Sequence, residues 1–217
     1  KYSVQVWTTE NGLPQNSINS ITQTNDGYLW MGTFDGLVRF DGIKFTVYNT
    51  SNTPELKANG IKRLFTDSKD RLWIIGADGS LVSYFQNKFQ SYVIPSKVLF
   101  YNNSITNWAN NSILIVCDNS KIYRIENSEV SEFKIPDYIQ HIHTILSKFD
   151  DQLYVGTERG LFSYTNAEWH AFNEFIGKNS FALYRSPNND IIANIKYDLF
   201  IIHPKNAEQI IIPISLE

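Results

Sequence analysis

Short apolar runs separated by turn residues recur along most of the chain. In the first part of the chain these runs cover residues 18–24, 28–33, 37–41 and 44–49. Asn25-Asp26-Gly27 and Asp35-Gly36 lie between them, and Asn, Asp and Gly supply the positive φ that tight hairpins need. Because no stretch sustains a 3.6-residue period, the pattern predicts antiparallel strands and very little helix.

The group of four runs repeats. Aligning Trp30 on Trp73 also places Asp35-Gly36 on Asp78-Gly79. Three weaker copies follow, with Leu114, Tyr154 and Ile192 in the tryptophan position, so that successive anchors are 43, 41, 40 and 38 residues apart. Four antiparallel strands about every 40 residues are typical of a β-propeller blade. The sequence therefore predicts an all-β chain, one partial propeller domain over 1–217, with four-stranded blades at about 15–49, 58–93, 103–135, 140–173 and 180–217.

The first residues suggest one further element. Residues 3–7 read as a strand ahead of the first blade, so that 1–9 form an extra N-terminal strand segment. The fifth unit already has four runs of its own, and we expect the extra strand to complete a blade beyond residue 217. The chain is then expected to be part of a larger, seven-bladed propeller, which at about 40 residues a blade needs roughly 280 to 300 residues.

Composition narrows the possible partners. The chain is 42% hydrophobic and 14% aromatic over 217 residues, which is enough to fill a core. A net charge of -3 without a Lys/Arg cluster argues against nucleic-acid binding. The longest nearly apolar run, 210–214, is far too short to span a bilayer, so membrane attachment is expected only through a segment outside this chain. One cysteine, Cys117, excludes internal disulfides and multi-thiolate metal sites.

Acidic residues recur between the second and third strands of every unit. They are Asp35, Asp78, Asp118, Glu158 and Asp198. Two carboxylates on either side of a bond are the usual device of glycoside hydrolysis. Acid and base need different environments, however, and Asp-Gly is ordinary turn chemistry, so repetition in every blade favours turns.

Other catalytic and metal signatures are weak. His141 and His143 are two residues apart and would share a strand face, but a zinc site needs three or four protein ligands. Cys117 ends an apolar run and reads as a buried strand thiol, and neither G-x-S-x-G nor a phosphate loop is present. The sequence predicts no enzyme activity, no metal and no cofactor for this region.

A ligand would bind at the propeller mouth, where the loops entering each blade meet the loops between second and third strands. Trp30 and Trp73 occupy equivalent repeat positions and are interpreted as structural, whereas Trp108 is the strongest aromatic candidate. The candidate ligand-binding residues are Asn16, Phe34, Asp35, Tyr101, Asn103, Trp108, Asp118, His141, Glu158 and Arg159. This mix suits hydroxyl-rich ligands and is equally compatible with an ordinary hydrated surface. Glu158 and Arg159 replace the Asp-Gly pattern with a charged pair.

The first repeat resembles a known family. Residues 7–45, WTTENGLPQNSINSITQTNDGYLWMGTFDGLVRFDGIKF, resemble the two-component regulator propeller repeat, including the GLPQNS lead-in. The resemblance is good over residues 61–89 and weaker beyond, where Gly156-Thr157 and Gly160-Leu161 restore part of the pattern. It implies the periplasmic sensor region of an inner-membrane histidine kinase or hybrid system, dimeric in signalling and often responsive to oligosaccharides. The alternatives are the sensor region of a diguanylate cyclase, a stand-alone propeller scaffold for protein–protein interaction, and a five-bladed carbohydrate-active enzyme.

Overall fold

The computed structural model describes residues 4–101, 103–148 and 151–202, and the backbone of 209–212. These residues build five four-stranded antiparallel sheets, each with its strands in chain order. The all-β prediction with five four-stranded blades is therefore confirmed, whereas the seven-bladed extent stays a prediction. Where the sequence predicts one domain, the chain divides into two compact units, Lys1–Phe100 and Tyr101–Glu217, which are described in turn.

The first unit holds two blades. Its strands are β1 (Ser20–Gln23), β2 (Leu29–Gly32), β3 (Leu37–Phe40) and β4 (Phe45–Tyr48) in the first blade, and β5 (Ile61–Thr66), β6 (Leu72–Gly76), β7 (Leu81–Phe85) and β8 (Lys88–Tyr92) in the second. Tight turns join the strands: Gly27, for example, has a φ of 89° in the loop between β1 and β2, a conformation that glycine adopts without strain.

The two blades of this unit pack face to face around the repeated tryptophan. Trp30 is fully buried against Leu64, Leu72 and Ile74 of the second blade. Its indole Nε1 donates to Thr24 Oγ1 at 3.0 Å, and in the second blade Trp73 Nε1 donates to Asp67 Oδ2 at 2.8 Å. A buried indole N–H that finds an acceptor avoids the cost of an unpaired polar group, so the structural interpretation of both tryptophans is confirmed.

The N-terminal segment is not a strand over its described part, whereas its pairing with a blade beyond residue 217 stays a prediction. Residues 4–8 form no strand in the structure, and residues 1–3 of the predicted segment lie outside the described residues. A strand forms only where a hydrogen-bonding partner runs alongside it, and this segment instead packs through side chains. The Trp7 ring contacts Phe40, with centroids 5.1 Å apart, and Leu13 is buried against Met31 and Val38 on the outer face of the first blade.

The second unit holds three blades. Their strands are β9 (Ile105–Trp108), β10 (Ser112–Val116), β11 (Ile122–Glu126) and β12 (Glu129–Phe133), then β13 (Ile142–Lys148), β14 (Gln152–Thr157), β15 (Gly160–Thr165) and β16 (Glu168–Ala171), and finally β17 (Ser180–Arg185), β18 (Ile191–Ile195), β19 (Asp198–Ile202) and β20 (Gln209–Ile212). The last two blades share a core in which Tyr154 and Phe175 pack on Leu183, Ala193 and Phe200. Residues 213–217 of the fifth predicted blade lie outside the described residues.

Hydroxyl groups join the first strands of neighbouring blades in both units. In the first unit Thr22 and Thr66 are linked through their Oγ1 atoms at 3.0 Å. In the second unit Thr106 Oγ1 and Ser147 Oγ are linked at the same distance. Short hydroxyl side chains thus satisfy polar groups between strands that belong to different sheets.

The first strands of the second, fourth and fifth blades carry a β-bulge at an equivalent position. The register shifts at Lys62 in β5, at His143 in β13 and at Phe181 in β17. A bulge leaves the extra residue unpaired and re-aims its side chain away from the regular alternation. No helix in the part of the chain that the structure describes has the length and apolar character needed to cross a bilayer.

Candidate functional site

The ends of a blade differ in the loops that they carry. At one end, here called the mouth end, lie the loop between the second and third strands and the segment that leads into the first strand. The other end carries the remaining two hairpins. The three bulged residues lie near the mouth end, because Lys62 follows Ile61, which pairs with Gly76 at the end of β6, and His143 and Phe181 are placed likewise. All three bulges therefore lie at the mouth ends of their blades.

A T-x-x-G turn presents two side chains at the mouth end of the first and fourth blades. In the first blade the buried Thr33 hydroxyl donates to Gly36 O at 2.9 Å and accepts from the Asp35 N–H at 3.1 Å. In the fourth, Thr157 makes the same two bonds, to Gly160 O and from the Arg159 N–H, both at 3.0 Å. The threonine holds the turn, and the two central residues are exposed: Phe34 and Asp35 in one blade, Glu158 and Arg159 in the other.

In the first unit an aromatic–lysine cluster forms at the mouth end from Phe34, Lys62 and Phe100. The Phe34 ring is 44% exposed, and its backbone N–H donates to Gln15 Oε1 at 3.1 Å, which ties the turn to the lead-in segment. Lys62 Nζ lies 4.4 Å from the centre of the Phe34 ring and 5.7 Å from that of Phe100. An ammonium over an aromatic face is held by the ring quadrupole.

The charge of Lys62 is not neutralised by a carboxylate. Among the described residues no Asp or Glu oxygen lies within 4.0 Å of its Nζ atom. Asp35, beside Phe34, is exposed and forms no ion pair with a described residue. Asp78 Oδ1 in the neighbouring turn accepts from the backbone N–H and the hydroxyl of Ser80, at 3.0 and 2.6 Å. Asp78 therefore performs the turn role that the sequence favoured for this acid.

In the second unit the structure brings His141 between two turns. The His141 backbone N–H donates to Ser120 Oγ at 3.2 Å, in the turn that also carries Asp118. The His141 backbone carbonyl accepts from the Glu158 backbone N–H at 3.3 Å. Arg159 O accepts from the Gly177 N–H at 2.8 Å, in the segment leading into the fifth blade. The side chains of Asp118, His141, Glu158 and Arg159 are exposed at this mouth end.

The pair of histidines does not share a face. His141 has a φ of 51° and precedes β13, whereas His143 is the bulged residue of that strand and its ring lies 5.3 Å from the Phe181 ring. The positive φ at His141 and the bulge at His143 break the alternation that would align residues two apart. Within the described ranges no three His, Cys, Asp or Glu side chains are grouped as a metal site would need.

Two amides among the predicted ligand residues form bonds within the fold. Asn16 Oδ1 accepts from the Thr9 N–H at 2.9 Å and so stabilises the lead-in segment. Asn103 donates its side-chain N–H to Leu183 O in the fifth blade. Its backbone carbonyl accepts from the Ile145 N–H in the fourth blade, at 2.7 Å. Tyr101 is 56% exposed at the start of the second unit.

Trp108 is placed differently from the prediction. It ends β9 next to the loop between the first and second strands, which is the end opposite the mouth. Only 7% of its surface is exposed, and its ring packs on Phe133 and Tyr164, with centroids 5.6 and 6.2 Å apart. A buried ring offers no face to a sugar, so Trp108 is corrected to a core residue between the third and fourth blades.

Comparison with known proteins agrees with the first repeat. Residues 12–35 match the model of the two component regulator propeller family, which confirms the resemblance of the first blade. Histidine kinase P4 of Formosa agariphila is 47% identical over 49 residues, which are 23% of this chain and 3% of that protein. The first blade thus carries a repeat similar to that of two-component regulator propellers.

Solved structures share the fold. The extracellular domain of a hybrid two-component system of B. thetaiotaomicron superposes with a TM-score of 0.73 at 21% identity, covering 95% of this chain and 31% of that one. A streptogramin B lyase superposes with a TM-score of 0.65 at 18% identity, covering 87% of this chain and 65% of the lyase. The chain thus spans about a third of the sensor domain, and its fold serves both a sensor and an enzyme.

Proposed function

We propose that this chain is the ligand-sensing, extracytoplasmic propeller region of a two-component sensor, located in the periplasm, and that it binds an oligosaccharide at the mouth end of the first unit. The first-blade repeat and the fold shared with a sensor's extracellular domain support the sensor role. The observation that carries the ligand assignment is the exposed Phe34 ring, which the Thr33 and Gln15 hydrogen bonds hold in place.

The chemistry of the mouth end fits a sugar. The apolar face of a pyranose stacks on an aromatic ring, while polar groups around it bind the hydroxyls. Phe34 offers the ring, and Asp35 is exposed in the same turn. Because the turn is fixed before the ligand arrives, little conformational entropy is lost on binding.

Signalling would then depend on differential affinity. A ligand shifts a two-state equilibrium only by the difference in its binding to the two states. We propose that the ligand biases the arrangement of two protomers and so the activity of a downstream histidine kinase.

The experiment is a binding screen of the whole chain against a panel of oligosaccharides, followed by calorimetry with each ligand found. Phe34→Ala should weaken binding by about tenfold, because one stacking surface is lost. Phe85→Ala is the matched control: Phe85 is 40% exposed and ends β7 at the opposite end of the second blade. Equal affinities for Phe34→Ala and wild type would refute the assignment of the site.

A stand-alone scaffold for protein–protein interaction is the second candidate. Among the described residues of the fifth blade, Tyr184 is 62% exposed, and Ile192, Leu199 and Ile201 on the same side of the sheet are only partly buried, which favours this candidate. Exposed apolar faces of this kind are typical of interaction surfaces. A stoichiometric protein partner, together with no response to any oligosaccharide, would favour the scaffold over the sensor.

A further inference from the structure

We propose that the aromatic–lysine cluster selects an anionic saccharide, one that carries a carboxylate or a sulfate group, with Lys62 as the residue that binds the anion. This inference rests on the proposed function, since it names the ligand class of the same site. It adds a residue outside the candidate set and a chemical reason for selectivity.

Lys62 is partly exposed at the mouth end. As the bulged residue of β5, Lys62 leaves the regular alternation of the strand and lies at the mouth end beside Gly60 and Ile61. Its Nζ atom lies over Phe34, which is itself exposed, so an approaching ligand meets the ring and the ammonium together. The two rings, Phe34 and Phe100, hold the long side chain in one region and reduce the entropy lost on binding.

The charge of Lys62 is available as well. Aromatic faces stabilise a cation without neutralising it, and no carboxylate of the described residues lies within 4.0 Å of Lys62 Nζ. Asp78 Oδ1, the acid in the second blade's turn, already accepts two bonds from Ser80. Asp35 is the remaining acid of the site, and because it is exposed its field is screened by solvent.

An anionic sugar would use both parts of the cluster. A carboxylate or sulfate oxygen accepts a charge-assisted hydrogen bond from Nζ, which is stronger than a neutral one. The pyranose ring can then lie against the part of Phe34 that Lys62 leaves open. A neutral sugar would make the stacking contact alone and leave the ammonium with water. The geometry therefore favours acidic over neutral saccharides of the same size.

The test uses matched probes on the whole chain. Oligogalacturonate is compared with its methyl ester, which has the same ring and length without the charge, and sulfated carrageenan oligosaccharides are compared with their desulfated forms. We expect at least one acidic probe to bind about tenfold more tightly than its neutral counterpart, with an affinity that falls as salt is raised. The pair that shows the difference distinguishes a carboxylate from a sulfate ligand.

Variants then assign the selectivity to one side chain. Lys62→Gln should lower affinity for the acidic probe about tenfold and leave the neutral probe within twofold, whereas Lys62→Arg should retain the preference. Lys88→Gln is the matched control, because Lys88 is exposed at the start of β8 at the opposite end of the same blade. Thermal unfolding of each variant checks that the fold is intact, and the conservative arginine variant separates charge from packing.

The outcomes separate the two proposals. If neutral saccharides bind as tightly as acidic ones and only Phe34→Ala weakens them, the anionic inference is overturned while the proposed function stands. If the acidic preference persists in Lys62→Gln, Lys62 is not the anion-binding residue and the inference is also overturned. If no saccharide of either kind binds the intact chain, the proposed oligosaccharide function fails, and this inference fails with it.

Discussion

Asp67 is the residue whose removal tests the structural account most directly. Its Oδ2 atom accepts from the buried indole Nε1 of Trp73 at 2.8 Å, and its Oδ1 atom accepts from the backbone N–H groups of Lys69 and Arg71, both at 2.9 Å. Asp67 is itself 7% exposed and joins β5 to β6. A single carboxylate thus closes a hairpin and satisfies a core tryptophan.

The cost of Asp67→Ala follows from these bonds and from the ion pair of Asp67 Oδ2 with Arg71 Nε, 3.4 Å away. The Trp73 indole is 1% exposed, so its N–H is left without an acceptor, which costs about 1–3 kcal/mol. The two backbone N–H groups lie in a loop where water can replace the carboxylate, and their loss adds roughly 1 kcal/mol. We expect a total loss of about 2–4 kcal/mol. Asp67→Thr should recover part of it, because Thr24 accepts the equivalent indole bond from Trp30 in the first blade.

Urea unfolding followed by tryptophan fluorescence and circular dichroism measures the loss. Asp41→Ala is the matched control, since Asp41 Oδ1 accepts from the N–H groups of Ile43 and Lys44 at 2.8 and 2.6 Å but serves no indole. Its change in midpoint should be clearly smaller. Equal losses in the two variants, or an Asp67→Ala midpoint matching wild type, would refute the argument that the buried indole bond dominates.

Two further predictions concern a turn and a thiol. Gly36 has a φ of 149°, and a Cβ added there would lie 2.8 Å from Tyr48 O, whereas a Cβ added at Gly27 would meet nothing within 4 Å. Gly36→Ala should therefore lower the urea midpoint more than Gly27→Ala does. Equal midpoints for the two variants would contradict this. Burial raises the pKa of the Cys117 thiol to about 12, so a thiol reagent at pH 8 should label the native chain far more slowly than the urea-unfolded chain. Rapid labelling of the native chain would show that the Cys117 thiol is accessible to solvent, which would contradict its burial.

Much of the fold follows from local patterns. The turn at Asn25-Asp26-Gly27 and the apolar runs on either side of it predict β1 and β2 to within two residues at each end. The spacing of Trp30 and Trp73 predicts the repeat because the first two blades both bury a tryptophan at this position. Residues 4–7 form no strand here, and because a strand needs a pairing partner as well as propensity, the predicted pairing with a blade beyond residue 217 stays a prediction.

The candidate site was harder to predict. The T-x-x-G spacing marks turns with two exposed central residues. It therefore allows Phe34, Glu158 and Arg159 to be predicted as exposed turn residues. The prediction for Trp108 was wrong because a tryptophan can either pack in the core or stack on a sugar. Burial distinguishes the two roles, and Trp108 is buried. The role of Asn103, whose partners lie 42 and 80 residues away in the chain, depends on contacts that local sequence does not encode.

The sequence by itself determined the strands, the turns and the repeat, because hydrophobic alternation and turn chemistry act over a few residues and recur in every blade. The tertiary structure decided which side chains are open at the mouth end. The bulges at Lys62, His143 and Phe181 shift the strand register near the mouth end, and the alternation of apolar residues in the sequence does not show where they fall. Packing between blades likewise buried Trp108 and left Phe34 exposed, since exposure is a property of the assembled chain.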